Sequence, residues 1–487
     1  MRLSSYSQEP SAVDKPTGLT GNPARDLANS FNVRVIFFLS LHIPLALMTD
    51  LSPWISTAHA LVALLFGLRA ALLGRSSHVI YAVSYVAAGE VLWRMTQANL
   101  FWEYAKYAAV LIIFVAIIVE WSQNPSSRRL RSIAPILFGA ALLPAVAYTF
   151  LVVGIEDAID PLSFNLSSYL MIAVFALYIW ARPMKSDTTI RMLLALLAPI
   201  IAITALAVYF TLTDLESLIF LGESNWVTSG NYGPNQVSNM MGFGAFIAVV
   251  LLIMMPRAWG ARTIVLLALM AMLVQGLLTF SRGGIYSFVL ALGVFSFQLM
   301  TTPKARGRVL LLFALFAVIL VSVIYPALDR FTAGSLAQRF SSLDTTGRFE
   351  AAQADLAAFL ENPFLGVGVG QAEAYRLEFL GMAIAAHTEY TRLLGEHGLF
   401  GILILIILAW MLLKRYLANE SGIGRALSAG LSVWALSIMV HSATRLAVVP
   451  LALSLALVLW QVKESAEPAK PEADQQLLLW PEQRIVQ

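Results

Sequence analysis

Long uncharged runs recur along the sequence and constrain the fold more than any other feature. Many are long enough to cross a hydrocarbon core about 30 Å thick. They begin near residues 35, 54, 77, 104, 132, 165, 192, 238, 263, 285, 309, 398, 426 and 447. We therefore predict an all-α polytopic membrane protein with about 14 transmembrane helices, since helices satisfy their own backbone groups in lipid.

Composition agrees with this prediction and excludes several function classes. Of the 487 residues, 59% are hydrophobic and only 13% are charged, as in proteins whose main solvent is lipid. The net charge of +3 arises mostly from Lys and Arg in short loops, so it indicates insertion topology and not nucleic-acid binding. There is no cysteine to form disulfides or thiolate sites, and the six histidines show no metal-ligand spacing, so we expect no metal and no other cofactor.

Lys and Arg are distributed asymmetrically between the short loops. One set of connections is basic, whereas the alternate set, such as residues 154–161, is nearly free of positive charge. The basic set comprises Arg75; Arg128, Arg129 and Arg131; Arg182, Lys185 and Arg191; Arg257 and Arg262; Lys304, Arg306 and Arg308; and Lys414, Arg415 and Arg425. The positive-inside rule places this set and both termini in the cytoplasm, so the other set faces the periplasm or exterior.

One connection is far longer than the others and predicts a soluble region. Residues 329–397 lie between helices that the alternation sends outward, and residues 347–360 have helical spacing before Asn362-Pro363 ends the helix. We therefore predict a cytoplasmic tail at 1–30, transmembrane helices 1–11 at 31–328, a large periplasmic loop at 329–397, helices 12–14 at 398–463, and a second cytoplasmic tail at 464–487. No internal repeat is evident, which disfavours an inverted-repeat transporter.

Four basic residues break the charge pattern because they fall in or beside helices on the outer side. They are Arg94, Lys106, Arg282 and Arg445. A charge at membrane depth costs about 2.5–3.5 kcal/mol on insertion scales, so such residues usually face a cavity or a partner. Arg94 follows Glu90 by four positions, and Lys106 has an acid three positions before it. Structural ion pairs between helices 3 and 4 are therefore an equal alternative to a site.

Arg282 has a distinctive local sequence, Phe-Ser-Arg-Gly-Gly at 280–284. One helix ends outside and the next begins there, and adjacent glycines let the backbone turn tightly. A guanidinium at this turn can bind the anionic headgroup of a lipid, and a diphosphate suits its two parallel hydrogen bonds. The alternative is an interfacial arginine that extends to headgroups. Arg445 and His441, one turn apart, could join the same site or extend to the interface.

A series of short motifs surrounds and enters the long loop. In order, they are Asn231-Tyr232-Gly233-Pro234-Asn235-Gln236, Ser281-Arg282-Gly283-Gly284, Thr346-Gly347-Arg348, Glu361-Asn362-Pro363-Phe364-Leu365-Gly366-Val367-Gly368-Val369-Gly370, His387-Thr388-Glu389-Tyr390 and Gly395-Glu396-His397-Gly398-Leu399-Phe400-Gly401. Each motif is weak alone, but with this order and spacing across residues 231–401 the series resembles the O-antigen ligase and polymerase superfamily of bacterial membrane glycosyltransferases. The amino-terminal half is similar only in hydrophobicity.

The resemblance implies a GT-C-like helix bundle that acts on a glycan carried by undecaprenyl diphosphate. In that family the arginine of the Ser-Arg-Gly-Gly element is thought to hold the donor diphosphate, and the loop histidine to activate the acceptor hydroxyl. The matching residues are Arg282 and His387, and imidazole is the side chain best suited to accept a proton near neutral pH. The implied enzyme is a metal-independent, inverting glycosyltransferase of the bacterial inner membrane, with its active site facing the periplasm.

Further residues are candidates for binding substrate. Arg348 is either a second phosphate or sugar contact or an ion-pair partner of Glu350 or Glu361. Arg94 could supply an additional positive charge, and the glutamates of the last two motifs could orient the histidine or bind sugar. The candidate diphosphate- and substrate-binding residues are Arg348, Arg94, Arg445, Asn235, Glu389 and Glu396.

The acceptor decides the specific activity that the resemblance implies. Transfer to another lipid-linked repeat unit would make an O-antigen or exopolysaccharide polymerase, transfer to lipid A core a ligase, and transfer to protein an O-oligosaccharyltransferase. Many ligases of the family carry a further basic residue before the Pro-Asn element, whereas residues 214–232 contain no Lys or Arg, which favours the polymerase. A polymerase could also act with a chain-length regulator. A transporter of lipid-linked glycans is a further alternative, and it predicts charges near the bilayer midplane.

Overall fold

The computed structural model describes residues 23–123, 132–256, 258–301, 306–307, 314, 317–341, 347–381, 385–420 and 422–462. Most of the predicted amino-terminal tail and all of the predicted carboxy-terminal tail lie outside these residues. The loop and motif residues that also lie outside them are Arg128, Arg129, Arg131, Arg257, Lys304, Arg308 and Thr346.

Helices dominate the described residues, because a backbone in lipid has no water with which to form hydrogen bonds. The first twelve are α1 (Pro23–Ser40), α2 (His42–Leu51), α3 (Pro53–Leu72), α4 (Ser76–Met95), α5 (Tyr104–Gln123), α6 (Ala134–Ala140), α7 (Leu143–Val153), α8 (Ile155–Ile179), α9 (Ser186–Thr213), α10 (Pro234–Met254), α11 (Trp259–Leu278) and α12 (Arg282–Met300). The others are α13 (Tyr325–Phe331), α14 (Ser335–Ser341), α15 (Arg348–Glu361), α16 (Ala372–Leu380), α17 (Glu389–His397), α18 (Leu399–Ala418), α19 (Ile423–His441) and α20 (Val448–Leu455). Short 3-10 helices lie at Leu215–Ser217 and Val227–Ser229, a π-helical turn lies at Leu320–Ile324, and the strands are β1 (Pro183–Lys185) and β2 (Leu459–Gln461).

The all-α polytopic fold is confirmed, but the count of 14 spans is not. Within the described residues, 11 helical segments are long and apolar enough to cross a membrane. A twelfth is possible if the pair Ala317–Phe331 and Ser335–Ser341, bent by 112°, is one broken span. The run predicted from residue 77 forms α4, which has the length of a span but is not among the 11, and it carries buried Glu90. The run predicted from residue 447 gives only the eight-residue α20, which is too short to cross.

The basic loops lie together at one end of the helix bundle. There β1 pairs in parallel with β2, which brings the connection after α8 to the segment after α20. Arg415 Nε donates a hydrogen bond to Leu457 O at 3.2 Å in the same region. We call this the basic end, defined by Arg182, Arg415 and Arg425. The opposite end, which carries α15, α16 and α17, is called the loop end.

Helices α10 and α12 cross so closely that only glycine fits at the contact. A Cβ atom on Gly284 would lie 2.1 Å from Ser238 O, and one on Gly242 would lie 2.2 Å from Gly284 O. Farther from the loop end, Phe243 of α10 stacks on Trp434 of α19 with ring centroids 4.0 Å apart. These contacts fix the first turn of α12, and therefore Arg282, relative to the bundle.

The glycine-rich segment at residues 366–370 anchors the long loop. Val367 N donates to Gly395 O at 2.8 Å, and Val369 N donates to Thr149 Oγ1 at 2.7 Å. The three glycines of this segment have φ angles between 71° and 97°, which side-chain-bearing residues rarely adopt. This motif therefore has a structural role, because it joins the loop to α7 and α17.

The crossing of α10 and α12 predicts a difference between two glycines of the same helix. Gly284→Ala should lower the melting temperature of the purified protein, since overpacking costs about 1–3 kcal/mol. Gly293→Ala is the matched control, because no heavy atom of the described residues lies within 4 Å of its added Cβ. A helical Gly→Ala change in open space is worth roughly 0.5–1 kcal/mol of stabilisation. Equal melting temperatures for the two variants would contradict the packing described here.

Candidate active site

The turn before α12 holds Arg282 through a strained backbone. Phe280 is fully buried with φ of 56°, an unusual conformation for a bulky residue, and its ring stacks on Phe220 at 5.2 Å. Such conformations cost about 1–3 kcal/mol and persist where the surroundings enforce them. Ser281 Oγ donates to Asn235 Oδ1 at 2.7 Å, so two of the quoted motifs meet directly. Asn235 therefore supports the turn from the start of α10.

Arg282 and Arg339 hold each other's segments reciprocally. Arg282 Nη1 donates to Arg339 O at 3.3 Å, and Arg339 Nε donates to Phe280 O at 3.1 Å. Arg339 is buried and belongs to α14, outside every motif that sequence analysis selected. Nothing in its local sequence distinguishes it from an ordinary loop arginine, so only the fold reveals its position.

Arg348 is the third member of this arginine cluster. Burial, followed by the positive charges of Arg282 and Arg339, lowers the pKa of Arg348. Its Nε atom is buried and has no hydrogen-bond partner among the residues that the structure describes. In the described residues no ion pair joins Arg348 to Glu350 or Glu361, so the structural alternative for this residue finds no support. A half-buried guanidinium whose Nε lacks a partner among the described residues, and which lies beside two other arginines, is suited to an anion with several oxygen acceptors.

The turn after α19 positions His387. Ala443 N donates to His387 O at 3.2 Å, and Arg445 Nη2 donates to Ala386 O at 2.6 Å. Ala443 itself has φ of 52°, so a second strained residue lies at this contact. Arg445 thus faces the loop instead of extending to the membrane interface.

The charges around His387 keep its imidazole neutral. Burial, followed by the positive charges of Arg348, Arg445 and Arg376, lowers the pKa of His387 to about 4. At neutral pH the ring can therefore accept a proton. Because the pKa is lower than in the unfolded chain, the neutral ring favours folding above about pH 6.5, and this contribution is lost as the pH falls toward 4. Arg376, like Arg339, was not selected from the sequence.

Glu389 anchors the loop inside the bundle. It is fully buried, accepts hydrogen bonds from Tyr169 and Arg392 on Oε1, and accepts one from Thr444 N on Oε2 at 2.9 Å. Arg392 Nη1 also donates to Asn165 Oδ1 at 2.6 Å. No hydrogen bond joins Glu389 to the His387 ring in the part of the chain that the structure describes. Its two carboxylate oxygens accept hydrogen bonds from α8, α17 and the turn after α19.

Glu396 lies on the same helix as Glu389, α17. It is buried, and burial raises its pKa to about 7, although the positive charge of Arg392 opposes this shift. The backbone of Gly370 also lowers the pKa through a hydrogen bond to the carboxylate, which connects Glu396 to the glycine-rich segment. Glu396 therefore helps to hold the loop, and among the described residues it makes no contact with the His387 ring by a hydrogen bond.

Arg94 belongs to a separate buried charge network. Its Nη2 donates to Glu90 Oε1 at 2.9 Å and to Glu103 Oε1 at 3.4 Å, and Lys106 also binds Glu103. The second oxygen of Glu90 accepts a hydrogen bond from Ala447 N at 2.7 Å. Arg94 and Lys106 therefore form buried ion pairs with glutamates, which is the structural alternative stated in the sequence analysis. The network supports the turn after α19 from the side opposite the loop.

His441 lies directly behind Arg282. A Cβ atom on Gly283 would lie 2.4 Å from the His441 ring, so glycine is required for this close approach. His441 Nε2 and Ser287 Oγ are 3.2 Å apart and share a hydrogen bond. His441 is thus packed between α12 and α19 instead of extending to the interface.

The predicted residues fall into two groups, a cluster of cations around His387, which we call the pocket, and its supports. The pocket consists of Arg282, Arg339, Arg348, His387 and Arg445, and it adjoins Arg376, whose Nη1 donates to Asp355 Oδ1 at 2.5 Å. The supports are Asn235, Arg94, Glu389 and Glu396. In the described part of the chain, no group of three or more His, Asp or Glu side chains could hold a metal ion. The pocket offers guanidinium groups for an anion and one neutral imidazole that can accept a proton.

Stability measurements should distinguish a support from a pocket residue. Glu389→Gln leaves Arg392 buried without its ionic partner, so we expect a loss of about 3–5 kcal/mol and a large fall in melting temperature. His387→Gln removes a half-buried ring that makes no side-chain hydrogen bond with the described residues, so its effect should stay within about 1 kcal/mol. Thermal unfolding in detergent compares the two. Equal losses would contradict the assignment of Glu389 as an anchor.

Comparison with known protein families identifies one domain in this chain. Residues 266–406 match the family model described as O-antigen ligase. The matched range contains Arg282, Arg339, Arg348, Arg376 and His387, although it covers less than half of the chain. No curated protein matches the chain. The match shows an O-antigen ligase domain at residues 266–406, which supports the resemblance to the O-antigen ligase and polymerase superfamily.

Proposed function

We propose that the protein is a membrane glycosyltransferase that moves a glycan from an undecaprenyl diphosphate donor to an acceptor hydroxyl. The observation that carries this proposal is the pocket in which Arg282, Arg339 and Arg348 lie together near a neutral His387. The family match supports an O-antigen ligase or polymerase type of enzyme. The pocket adds a chemical reason for the donor, because several guanidinium groups suit a diphosphate.

The arginine cluster would stabilise the leaving group. Breaking the bond between the anomeric carbon and the diphosphate oxygen builds negative charge on the diphosphate. Preorganised guanidinium groups stabilise that charge more strongly in the transition state than in the bound donor. Arg348, whose buried Nε lacks a partner, and Arg282 are the residues proposed to bind the phosphate oxygens.

His387 would act as the general base. Its pKa of about 4 reflects burial and the neighbouring arginines, so the ring is unprotonated when the pocket is empty. A bound diphosphate would offset those positive charges and raise the pKa of His387, which makes the ring a stronger base once donor is present. The acceptor oxygen would lose its proton to the imidazole and attack the anomeric carbon from the face opposite the diphosphate. The anomeric configuration would then be inverted.

The acceptor is proposed to be another lipid-linked repeat unit, which makes the enzyme a polymerase of O-antigen or exopolysaccharide. The segment at residues 214–232 lines the wall beside the Arg282 turn, since Asn225 N donates to Thr279 O at 3.0 Å and Thr228 Oγ1 donates to Leu278 O at 2.5 Å. This wall carries no Lys or Arg. A wall that binds lipid A core, which is rich in phosphate, would be expected to carry a basic side chain. Ligation to lipid A core is the second candidate, because the matched family is described as O-antigen ligase.

The location that fits this reaction is the bacterial inner membrane, with the pocket on the periplasmic side. The basic end of the bundle would face the cytoplasm by the positive-inside rule. The pocket lies at the loop end, where the first turn of α12 and the turn after α19 meet the long loop. A donor carried by a lipid could then reach the arginine cluster from the outer leaflet.

The proposal is tested by reconstituting the protein in vesicles with an undecaprenyl diphosphate oligosaccharide and separating lipid-linked products on a gel. The wild type should make a ladder, while Arg282→Ala and His387→Ala should each lower the rate by at least about 100-fold. Arg330→Ala is the matched control, because this exposed arginine of α13 donates a hydrogen bond to Pro326 O, makes no other polar contact with the described residues, and should leave the ladder unchanged.

The same assay separates the two candidate acceptors. A ladder from the donor alone supports a polymerase. Transfer that requires added lipid A core supports a ligase and contradicts polymerisation. If no acceptor receives glycan, or if His387→Ala retains the wild-type rate, the proposed chemistry is wrong.

A further inference from the structure

Helix α15 has two contrasting faces. One face packs against α16 and α17 and consists of small or paired residues, namely Ala351, Ala354, Asp355 and Ala358. The opposite face exposes large apolar side chains. Phe349 is 61% exposed, Leu356 is 40% exposed and Leu360 is 76% exposed, and their positions differ by seven and four residues, which places them on one side of the helix. We call this face, together with Phe364 after the helix, the apolar stripe of α15.

Both ends of α15 lie at the level where membrane spans begin. Its first residue, Arg348, lies in the cluster with Arg282, the first residue of the span α12. After its last turn, Pro363 O accepts a hydrogen bond at 2.7 Å from the N–H of Leu399, the first residue of the span α18. A helix of 14 residues is about 21 Å long. It therefore runs between the outer ends of two spans, along the membrane surface and not away from it.

The apolar stripe of α15 continues into the lipid-facing side of α18. Phe364 is 73% exposed, and its backbone approaches the turn before α18 so closely that a Cβ on Gly398 would lie 2.7 Å from Phe364 C. On α18, Leu399, Leu403, Ile406 and Trp410 are exposed at helical spacing, as expected for a span that meets acyl chains. The two exposed surfaces thus form one apolar face, and Gln353 is the polar residue on the α15 part of it.

We propose that α15 is an interfacial helix whose apolar stripe is covered by lipid of the leaflet at the loop end. Helices with one apolar face lie in the plane of the interface with that face toward the acyl region. Continuity with the lipid-facing side of α18 identifies the occupant as the bilayer and not a second protein. This contact keeps the first residue of α15 at the level of the headgroups. The inference depends on the membrane fold alone and does not require the proposed reaction.

Site-directed labelling tests the proposal cleanly, because the chain contains no cysteine. Single variants Leu360→Cys and Phe364→Cys would carry a nitroxide label in vesicles of phosphatidylethanolamine and phosphatidylglycerol. Leu403→Cys serves as the lipid-facing reference, and Glu373→Cys, on the exposed side of α16, serves as the aqueous reference. Collision of the label with oxygen, which partitions into lipid, is compared with collision with a water-soluble nickel chelate.

Labels at 360 and 364 should collide several-fold more often with oxygen than with the nickel chelate, as at Leu403. Collision dominated by nickel, as at Glu373, would overturn the proposal because the stripe would then face water. Labels shielded from both reagents would also overturn it, since a protein partner or a second copy would then cover the face. Melting temperatures equal to that of the cysteine-free parent confirm that each labelled variant is folded.

Discussion

A polar group inside a helix bundle in lipid must form its hydrogen bonds within the protein. Two buried carboxylates do so with backbone N–H groups of the same turn, the one after α19. Glu90 accepts a hydrogen bond from Ala447 N, and Glu389 accepts one from Thr444 N. The turn after α19 is therefore held from the transmembrane side and from the loop side at once. Because Ala443, in the same turn, binds the backbone of His387, the position of that histidine depends on both carboxylates.

The backbone is strained at two positions next to the proposed catalytic residues. Phe280 and Ala443 both adopt positive φ, one directly before Arg282 and the other against His387. Such conformations persist only where surrounding contacts enforce them, as the stacked ring of Phe220 and the bond from Arg339 to Phe280 O do here. The proposed chemistry needs arginines and imidazole at fixed separations, and a rigid backbone at both positions supplies them.

The sequence predicts the membrane class, which the structure confirms, because hydrophobic length is a local signal. The motif series and the charge pattern select Arg282, Arg348, His387 and Arg445, whose roles stay predictions. The sequence does not predict Arg339 or Arg376, whose importance arises only when α14 and α16 fold back onto the pocket. Arg94, Glu389 and Glu396 have partners within the protein, which the sequence does not reveal, because a charge at membrane depth indicates a partner without indicating whether that partner is a substrate or another side chain. The sequence also predicts a span where the structure has the eight-residue α20, because apolar content does not reveal that the helix ends at Leu455, before β2.

The central claim is that the arginine cluster binds a diphosphate and that His387 acts only on the acceptor. Binding of undecaprenyl diphosphate to the purified protein in lipid nanodiscs tests it most directly. The account predicts that Arg348→Gln weakens binding by about tenfold or more, since a charged hydrogen bond contributes roughly 1.5–3 kcal/mol. His387→Gln should bind the lipid about as well as the wild type. Unchanged binding by Arg348→Gln, or a loss in His387→Gln as large as that in Arg348→Gln, would contradict the account.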